Sequence, residues 1–250
     1  MLAVIGALIV RDLKSRFSGD LLGYSWALLT PLAWVFAIVA SFVIIGRQTP
    51  ISTDAISFVV AGILPYIVFR YTITSMMKAY KINRFILHID NVGVGEIMFA
   101  ASLVELMNGA AVYMVITLLN YLTFGYVEMN VFFVVLYGYI LAWLSGASLG
   151  YFFAQLSNLS ETVVRVLPVI MRPMFWISGI FYTANEVPDS MMKYLSYNPL
   201  FQAIEIIRNG MFLGYKSRMA DYLYPIIFSL FFIVAGYVVS SLVLRGSKKV

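Results

Sequence analysis

The sequence predicts an all-α membrane protein with six transmembrane helices. Hydrophobic residues make up 62% of the 250, and charged residues only 12%, against about 25% charged in an ordinary soluble domain. Several apolar runs reach about twenty residues, enough for a helix to cross a hydrocarbon core about 30 Å thick. The polar stretches between them are short, which leaves no room for a separate soluble domain. The whole of residues 1–250 therefore reads as one transmembrane domain. There is no cysteine and a single histidine. That excludes disulfides, thiol nucleophiles and thiolate or His-based metal sites. The net charge of +5 bears on membrane orientation rather than on nucleic acid.

Residues 1–20 form an amphipathic interface segment. An apolar stretch of ten residues is too short to span, and Arg11, Lys14 and Arg16 follow it rather than precede it, the reverse of a signal peptide. The segment suits a helix on the membrane surface, with its basic side chains snorkelling toward lipid phosphates. The first span is expected at 26–46, with Trp26 at the interface and Pro31 in the first turns. A polar turn, 47–55, leads to a second span at 56–77 that contains Pro65 and Arg70. A third, at 97–124, is longer than a crossing requires and carries Glu105 in its first half. The fourth ends near Ala154. Its cluster Ser145-Gly146-Ala147-Ser148 with Gly150 suits close helix contact. A fifth is expected at 163–182 and a sixth at 222–244.

Lys and Arg set the orientation. Arg11, Lys14, Arg16, Lys78, Lys81, Arg84, Arg245, Lys248 and Lys249 fall on one side. Arg47, Lys193, Arg208, Lys216 and Arg218 are scattered on the other. The positive-inside rule then places both termini in the cytoplasm.

The fifth expected span is the unusual one, because it holds Arg165, Pro168, Arg172 and Pro173. Arginine at the centre of a membrane helix costs about 2.5–3.5 kcal/mol on insertion scales. It needs an acidic partner, water or an anionic ligand. Arg70 and Arg172 are therefore candidates for an aqueous or headgroup-lined route, the alternative for Arg70 being an ion pair with Glu105. Arg165 is close enough to the boundary to snorkel. The two prolines suggest either a bent, gating helix or a passive kink. The chain then breaks, and residues 183–215 contain two short amphipathic pieces, too short to span. The second starts at Asn198-Pro199-Leu200-Phe201, with its apolar stripe opposed to Glu205, Arg208 and Asn209. Such a piece would dip into, or lie on, the outer leaflet. Phe175, Trp176, Phe181, Tyr182, Tyr197 and Phe201 gather around this break. Aromatic faces pack against the C–H faces of sugars, although membrane interfaces also collect such rings. The loop at 78–95 has an apolar centre, Phe85-Ile86-Leu87, between Lys81, Asn83, Arg84 and then His88 and Asp90. That pattern suits a short helix docking into a groove on another protein. No Walker A motif occurs, so the chain has no P-loop for ATP, and no catalytic constellation is present.

Taken together these residues resemble the ABC-2 permeases, in particular the capsular-polysaccharide exporter permeases of the KpsM type. The likeness is carried by Arg11-Asp12-Leu13-Lys14-Ser15-Arg16-Phe17, the run Leu22-Gly23-Tyr24-Ser25-Trp26-Ala27-Leu28-Leu29-Thr30-Pro31, Gly62-Ile63-Leu64-Pro65, and Val166-Leu167-Pro168 with Arg172-Pro173. Tyr197-Asn198-Pro199-Leu200, leading to Glu205 and Arg208, completes it.

The resemblance implies a homodimer in the bacterial inner membrane, joined by two copies of a nucleotide-binding ATPase subunit. ATP and Mg would bind that partner, and no cofactor would bind this chain. It implies a coupling element at 78–95, with Lys81, Asn83, Arg84, Phe85, Leu87, His88 and Asp90 facing the ATPase, and re-entrant helices within 183–215. A lipid-linked polysaccharide would pass between protomers amid membrane lipid, along Arg70, Glu105, Arg172, Phe175, Trp176, Phe181, Tyr182, Tyr197 and Phe201. A periplasmic export adaptor would carry it onward. O-antigen and teichoic-acid exporter permeases share much of the pattern. A secondary transporter or channel is the reading from another class. The lack of an internal repeat and of a membrane-embedded acidic pair beside Glu105 weighs against it.

Overall fold

The computed structural model describes residues 2–16, 23–51, 53–82 and 93–247. Their regular secondary structure is all helical, with no strand among them. In order they form α1 (Leu2–Arg16), α2 (Ser25–Ile45), α3 (Ala55–Ile82), α4 (Val94–Phe124), α5 (Phe132–Leu156), α6 (Thr162–Ile177), a single 3-10 turn (Ala184–Glu186), α7 (Asp189–Leu195), α8 (Pro199–Met211) and α9 (Tyr224–Ser247).

α3 is the axis of the bundle. Every residue from Ser57 to Phe69 is buried, so its sequence is apolar all round rather than striped. α2, α4, α5 and α8 surround it. The expected small-residue seam is where α5 meets this axis. A Cβ added to Gly146 would lie 2.7 Å from the Phe69 carbonyl oxygen, and one at Gly150 would lie 3.1 Å from the Ile73 Cα. These are backbone-to-backbone contacts that only glycine permits. On its other side α5 holds α9: the Ser229 hydroxyl comes within 3.5 Å of the Ser145 hydroxyl, and Gly236 leaves room for the Tyr151 ring.

Residues 2–16 of the N-terminal segment form one helix. Its Leu8 packs with Ala79, Ile97, Ala100 and Ala101 into a small second core, which ties α1 to α4 and to the end of α3. α4 starts with the Glu96 carboxylate accepting the Gly93 N–H at 3.0 Å, and stops at Gly125 with φ +76°. Both features are ordinary helix punctuation.

Two expectations change. Among the described residues, five helices are long and apolar enough to cross a bilayer: α2, α3, α4, α5 and Tyr224–Leu242 of α9. The expected fifth span does not continue to Tyr182, because α6 ends at Ile177. Its 16 residues rise about 24 Å at 1.5 Å per residue, short of a hydrocarbon core. The helix is stopped chemically. The Ser178 hydroxyl takes the Met174 carbonyl, the Asn198 amide takes the Ile177 carbonyl at 3.3 Å, and Gly179 turns the chain at φ +77°. The second change concerns α8. Its pattern suggested a helix on or in the outer leaflet, but every residue of it except Asn209 is buried. It runs inside the bundle between α3 and α5, where Gly138 leaves room for Ile207.

Replacing Gly146 by Val should separate α3 from α5. We expect a loss of about 1–3 kcal/mol, the usual range for overpacking, read as a lower thermal midpoint of the detergent-solubilised protein. Gly6→Val, where a Cβ meets nothing within 4 Å, is the neutral control.

Candidate functional site

The site is built around the point where α6 ends. α6 turns Leu167 and Met171 fully inward and leaves Arg165, Arg172, Trp176 and Ile177 exposed. Arg172 has no ion pair among the described residues. Phe175 is half-buried and is the hub of a ring cluster. Its centroid lies 5.2 Å from Tyr66, 5.4 Å from Trp176, 5.3 Å from Phe181 and 6.3 Å from Trp34. Trp176 stacks on Phe181 at 5.2 Å, and Phe42 stacks on the Phe181 side at 6.5 Å. Trp34 and Trp176 keep 48% and 65% of their surface exposed, so the cluster presents an open aromatic face.

Of the sequence candidates, the fold brings together Phe175, Trp176 and Phe181, with Arg172 on the same short helix. It adds Trp34, Phe42 and Tyr66, which sequence reasoning missed. Trp34 and Phe42 sat within an ordinary-looking first span. The other candidates lie elsewhere. Tyr182 rests against Phe201 at 6.1 Å, and Phe201 is fully buried in the core. Tyr197 is exposed at the turn into α8, and its carbonyl accepts the Tyr224 hydroxyl at 2.7 Å.

What holds Phe181 in place is a set of guanidinium contacts. Beyond α6 the chain has no helix to satisfy its carbonyls, and an unpaired carbonyl in a dry interior is costly. Arg208 Nη1 donates to the Tyr182 carbonyl at 2.7 Å and Nη2 to that of Ile180 at 3.3 Å. Arg47 Nη2 donates to the Phe181 carbonyl between them at 2.8 Å. Arg208 is fully buried. It forms an ion pair with Glu205, one helical turn away, at 2.9 Å with both side chains at 0% exposure, and its guanidinium lies 4.5 Å from the Phe58 ring centroid. The second Glu205 oxygen accepts the Tyr215 and Ser217 hydroxyls, both at 2.6 Å. Burial first, and then the Glu205 carboxylate beside it, push the Tyr215 hydroxyl well above its ordinary value, so it remains a donor at neutral pH. Asn198 completes the frame. It caps α8 by accepting the N–H groups of Leu200 and Phe201 at 3.0 and 3.3 Å, and it donates to the end of α6. The pairing of Glu205 with Arg208 agrees with their spacing on the helix. Their burial does not follow from spacing, because the carbonyls that recruit Arg208 lie more than twenty residues away.

Away from this face, α1, α2, α3 and α4 enclose a half-open cavity of about 580 Å³. Glu105 is 5% exposed and lines it. Arg70 does not line it. Arg70 is half-buried and meets the Tyr66 hydroxyl, which donates to the Met171 carbonyl of α6 at 3.3 Å. Arg70 is thus linked to α6 through one tyrosine, an arrangement different from the Arg70–Glu105 pair considered from sequence. Lys81 is exposed near the end of α3. Asn83, Arg84, Phe85, Leu87, His88 and Asp90 lie outside the described residues.

A family model for the ABC-2 type transporter matches residues 3–212. The chain belongs to this family. Over 232 residues, 93% of this chain and 90% of the relative, it is 25% identical to the polysialic acid transport protein KpsM of Escherichia coli. It is 22% identical over 211 residues, 84% and 79% of the two chains, to the capsule polysaccharide export inner-membrane protein CtrC of Neisseria meningitidis serogroup A. The capsule polysaccharide export inner-membrane protein BexB of Haemophilus influenzae matches to the same extent. The ABC-2 permease resemblance read from Arg11–Pro31 and the Asn-Pro-Leu motif therefore holds over most of the chain.

Arg208→Met would remove the carbonyl donor and strand Glu205 in the interior. We expect about 3–5 kcal/mol of destabilisation, the range for breaking a buried pair from one side, together with poor recovery from membranes. The paired change Glu205→Gln with Arg208→Met should lose less than Arg208→Met alone, because no buried charge is left unpaired. Thermal unfolding of the three proteins checks the order.

Proposed function

We propose that this chain is the permease subunit of an ABC exporter that moves a lipid-linked capsular polysaccharide across the bacterial inner membrane. A separate subunit hydrolyses ATP, with Mg, to drive it. The observation that carries the reading is the likeness to capsule-export permeases along nearly the whole chain, combined with an open aromatic face beside an exposed, unpaired Arg172. A polymer in transit needs many weak contacts rather than one tight site. Rings of the size of Trp34 and Trp176 offer flat, sequence-tolerant contact to sugar C–H faces. Arg172 and Arg70 supply cationic points for acidic groups of the polymer or its lipid end.

In this reading two copies of the chain face each other across the route, with α2 and α6, the helices bearing these rings, toward the seam. α6 together with the irregular segment through Tyr182 makes the sixth crossing, and residues 183–215 re-enter from the outer side. Both termini are cytoplasmic in this reading, which the distribution of Lys and Arg supports. α1 and the 78–95 loop then face two ATPase subunits, and the α7–α8 side faces a periplasmic adaptor.

Export is measured as cell-surface polymer by antibody staining in a deletion strain, with intracellular polymer and membrane level of the permease quantified alongside. Trp176→Ala is expected to reduce surface polymer about two- to tenfold, the effect of losing one ring contact, at a normal protein level. Arg172→Ala should do the same, with partial recovery in Arg172→Lys if charge rather than fork geometry is used. Unchanged export in both alanine variants would remove this face from the route. A chain that moves solute alone in liposomes down an ion gradient would remove the ABC exporter reading altogether.

A further inference from the structure

The cavity between α1, α2, α3 and α4 is separate from the aromatic face and has its own chemistry. α3 lines it with one continuous stripe that includes Leu64, Ile67, Tyr71, Ser75, Lys78 and Ile82. These positions recur at three- and four-residue intervals, so they share one side of the helix. They extend over about 27 Å at 1.5 Å per residue, a length comparable with one bilayer core. α4 contributes Glu105, Asn108 and Val112, again one side of a helix, and α2 contributes Trp26, Ala27, Thr30 and Pro31.

The lining is graded along its length. The deep end is apolar, formed by Leu64, Ile67, Val68, Val112 and Pro31. The middle carries hydroxyl and amide groups on Tyr71, Thr74, Ser75, Thr30 and Asn108. Glu105 adds a carboxylate to this middle, and the far end is charged, with Lys78 and Arg11 exposed at the edge and Asp12 also lining it. Arg11, Asp12 and Glu105 each already have a partner. Lys78 has no ion pair among the described residues. Water would leave the apolar end unsatisfied, and a plain hydrocarbon would leave the polar middle unsatisfied. A molecule matching the whole gradient has an apolar chain, a hydrogen-bonding glycerol-like waist and an anionic head. The volume, about 580 Å³, lies within the usual range of about 300–1,000 Å³ for small-molecule sites.

We propose that this groove is a binding site for an anionic phospholipid of the bilayer leaflet on the α1 side, with its phosphate at Lys78 and an acyl chain running toward Val112. The bound lipid joins α1 and α2 to α3 where these helices do not close on one another. This assignment does not depend on which polymer the protein exports.

Trp26 lines the groove, so it reports occupancy directly. The full-length chain is reconstituted in nanodiscs containing a fixed mole fraction of bromine-labelled phosphatidylglycerol or bromine-labelled phosphatidylcholine. The part of tryptophan fluorescence absent in Trp26→Phe is then compared between the two lipids. Labelled phosphatidylglycerol should quench this component at about five-fold lower mole fraction than labelled phosphatidylcholine, the preference one lysine near a headgroup confers. Lys78→Glu should abolish the preference. Ala27→Phe, which fills the groove, should weaken quenching by both lipids. Near-UV circular dichroism of both variants matching wild type excludes unfolding as the cause. Equal quenching by the two lipids in wild type would overturn the proposal, since Trp26 would then be sampling bulk bilayer. A preference that survives Lys78→Glu would place the anion elsewhere and overturn it too. Loss of quenching on adding saturating lipid-linked polysaccharide would assign the groove to the cargo's lipid end and overturn the resident-lipid assignment.

Discussion

The buried pair of Glu205 and Arg208 is the interaction on which the outer half of this protein rests. Neither charge would be tolerated alone in a dry interior. Together, with the Tyr215 and Ser217 hydroxyls on the carboxylate and the Phe58 ring beneath the guanidinium, they make a neutral, hydrogen-bonded unit. What the pair then offers is donors. Two backbone carbonyls beyond α6, those of Ile180 and Tyr182, have no helical partner and receive them. The pair is therefore best understood as specifying one backbone path rather than as adding net stability. That path places Phe181 against Phe175 and Trp176, which turns a helix end into an aromatic surface.

Much of the architecture is legible in sequence, and the reasons are local. Four spans, α2 to α5, and the start of α9 follow from apolar length alone, and the small-residue cluster at Ser145–Gly150 foretells the contact of α5 with α3. The Asn198-Pro199 signal correctly marks the start of a helix, because a cap and a first-turn proline act within four residues. The end of α6 was not legible. Prolines 168 and 173 drew attention, yet neither ends the helix. The stop comes from Ser178, Gly179 and the distant Asn198, and a span-length count has no term for a side chain arriving from twenty residues away.

The burial of α8 inside the bundle has the same origin. Glu205, Arg208 and Asn209 on one side of a short helix read as a solvent-facing edge. In the folded chain that edge meets irregular backbone instead of water, and polar backbone is as good a partner for charge as solvent is. Phe201 lies in the core for a related reason, since the apolar stripe it belongs to faces inward. The aromatic face was half legible: Phe175, Trp176 and Phe181 are adjacent in sequence, whereas Trp34, Phe42 and Tyr66 reach them only through the packing of α2 and α3 against α6.

The glycine contacts along α5 carry a mechanical consequence. Where Gly146 and Gly150 let two main chains touch, there is no layer of side chains to slide or re-rotamer between them, and the same holds where Gly210 of α8 meets Val135 of α5. α3, α5 and α8 are thus keyed together like a keel. α2 and α6 meet that keel through side chains, Val35, Ile38 and Phe42 of α2 and Leu167 and Met171 of α6. Any widening of a passage has to come from these two outer helices swinging against a stiff spine, and not from deformation within the spine itself.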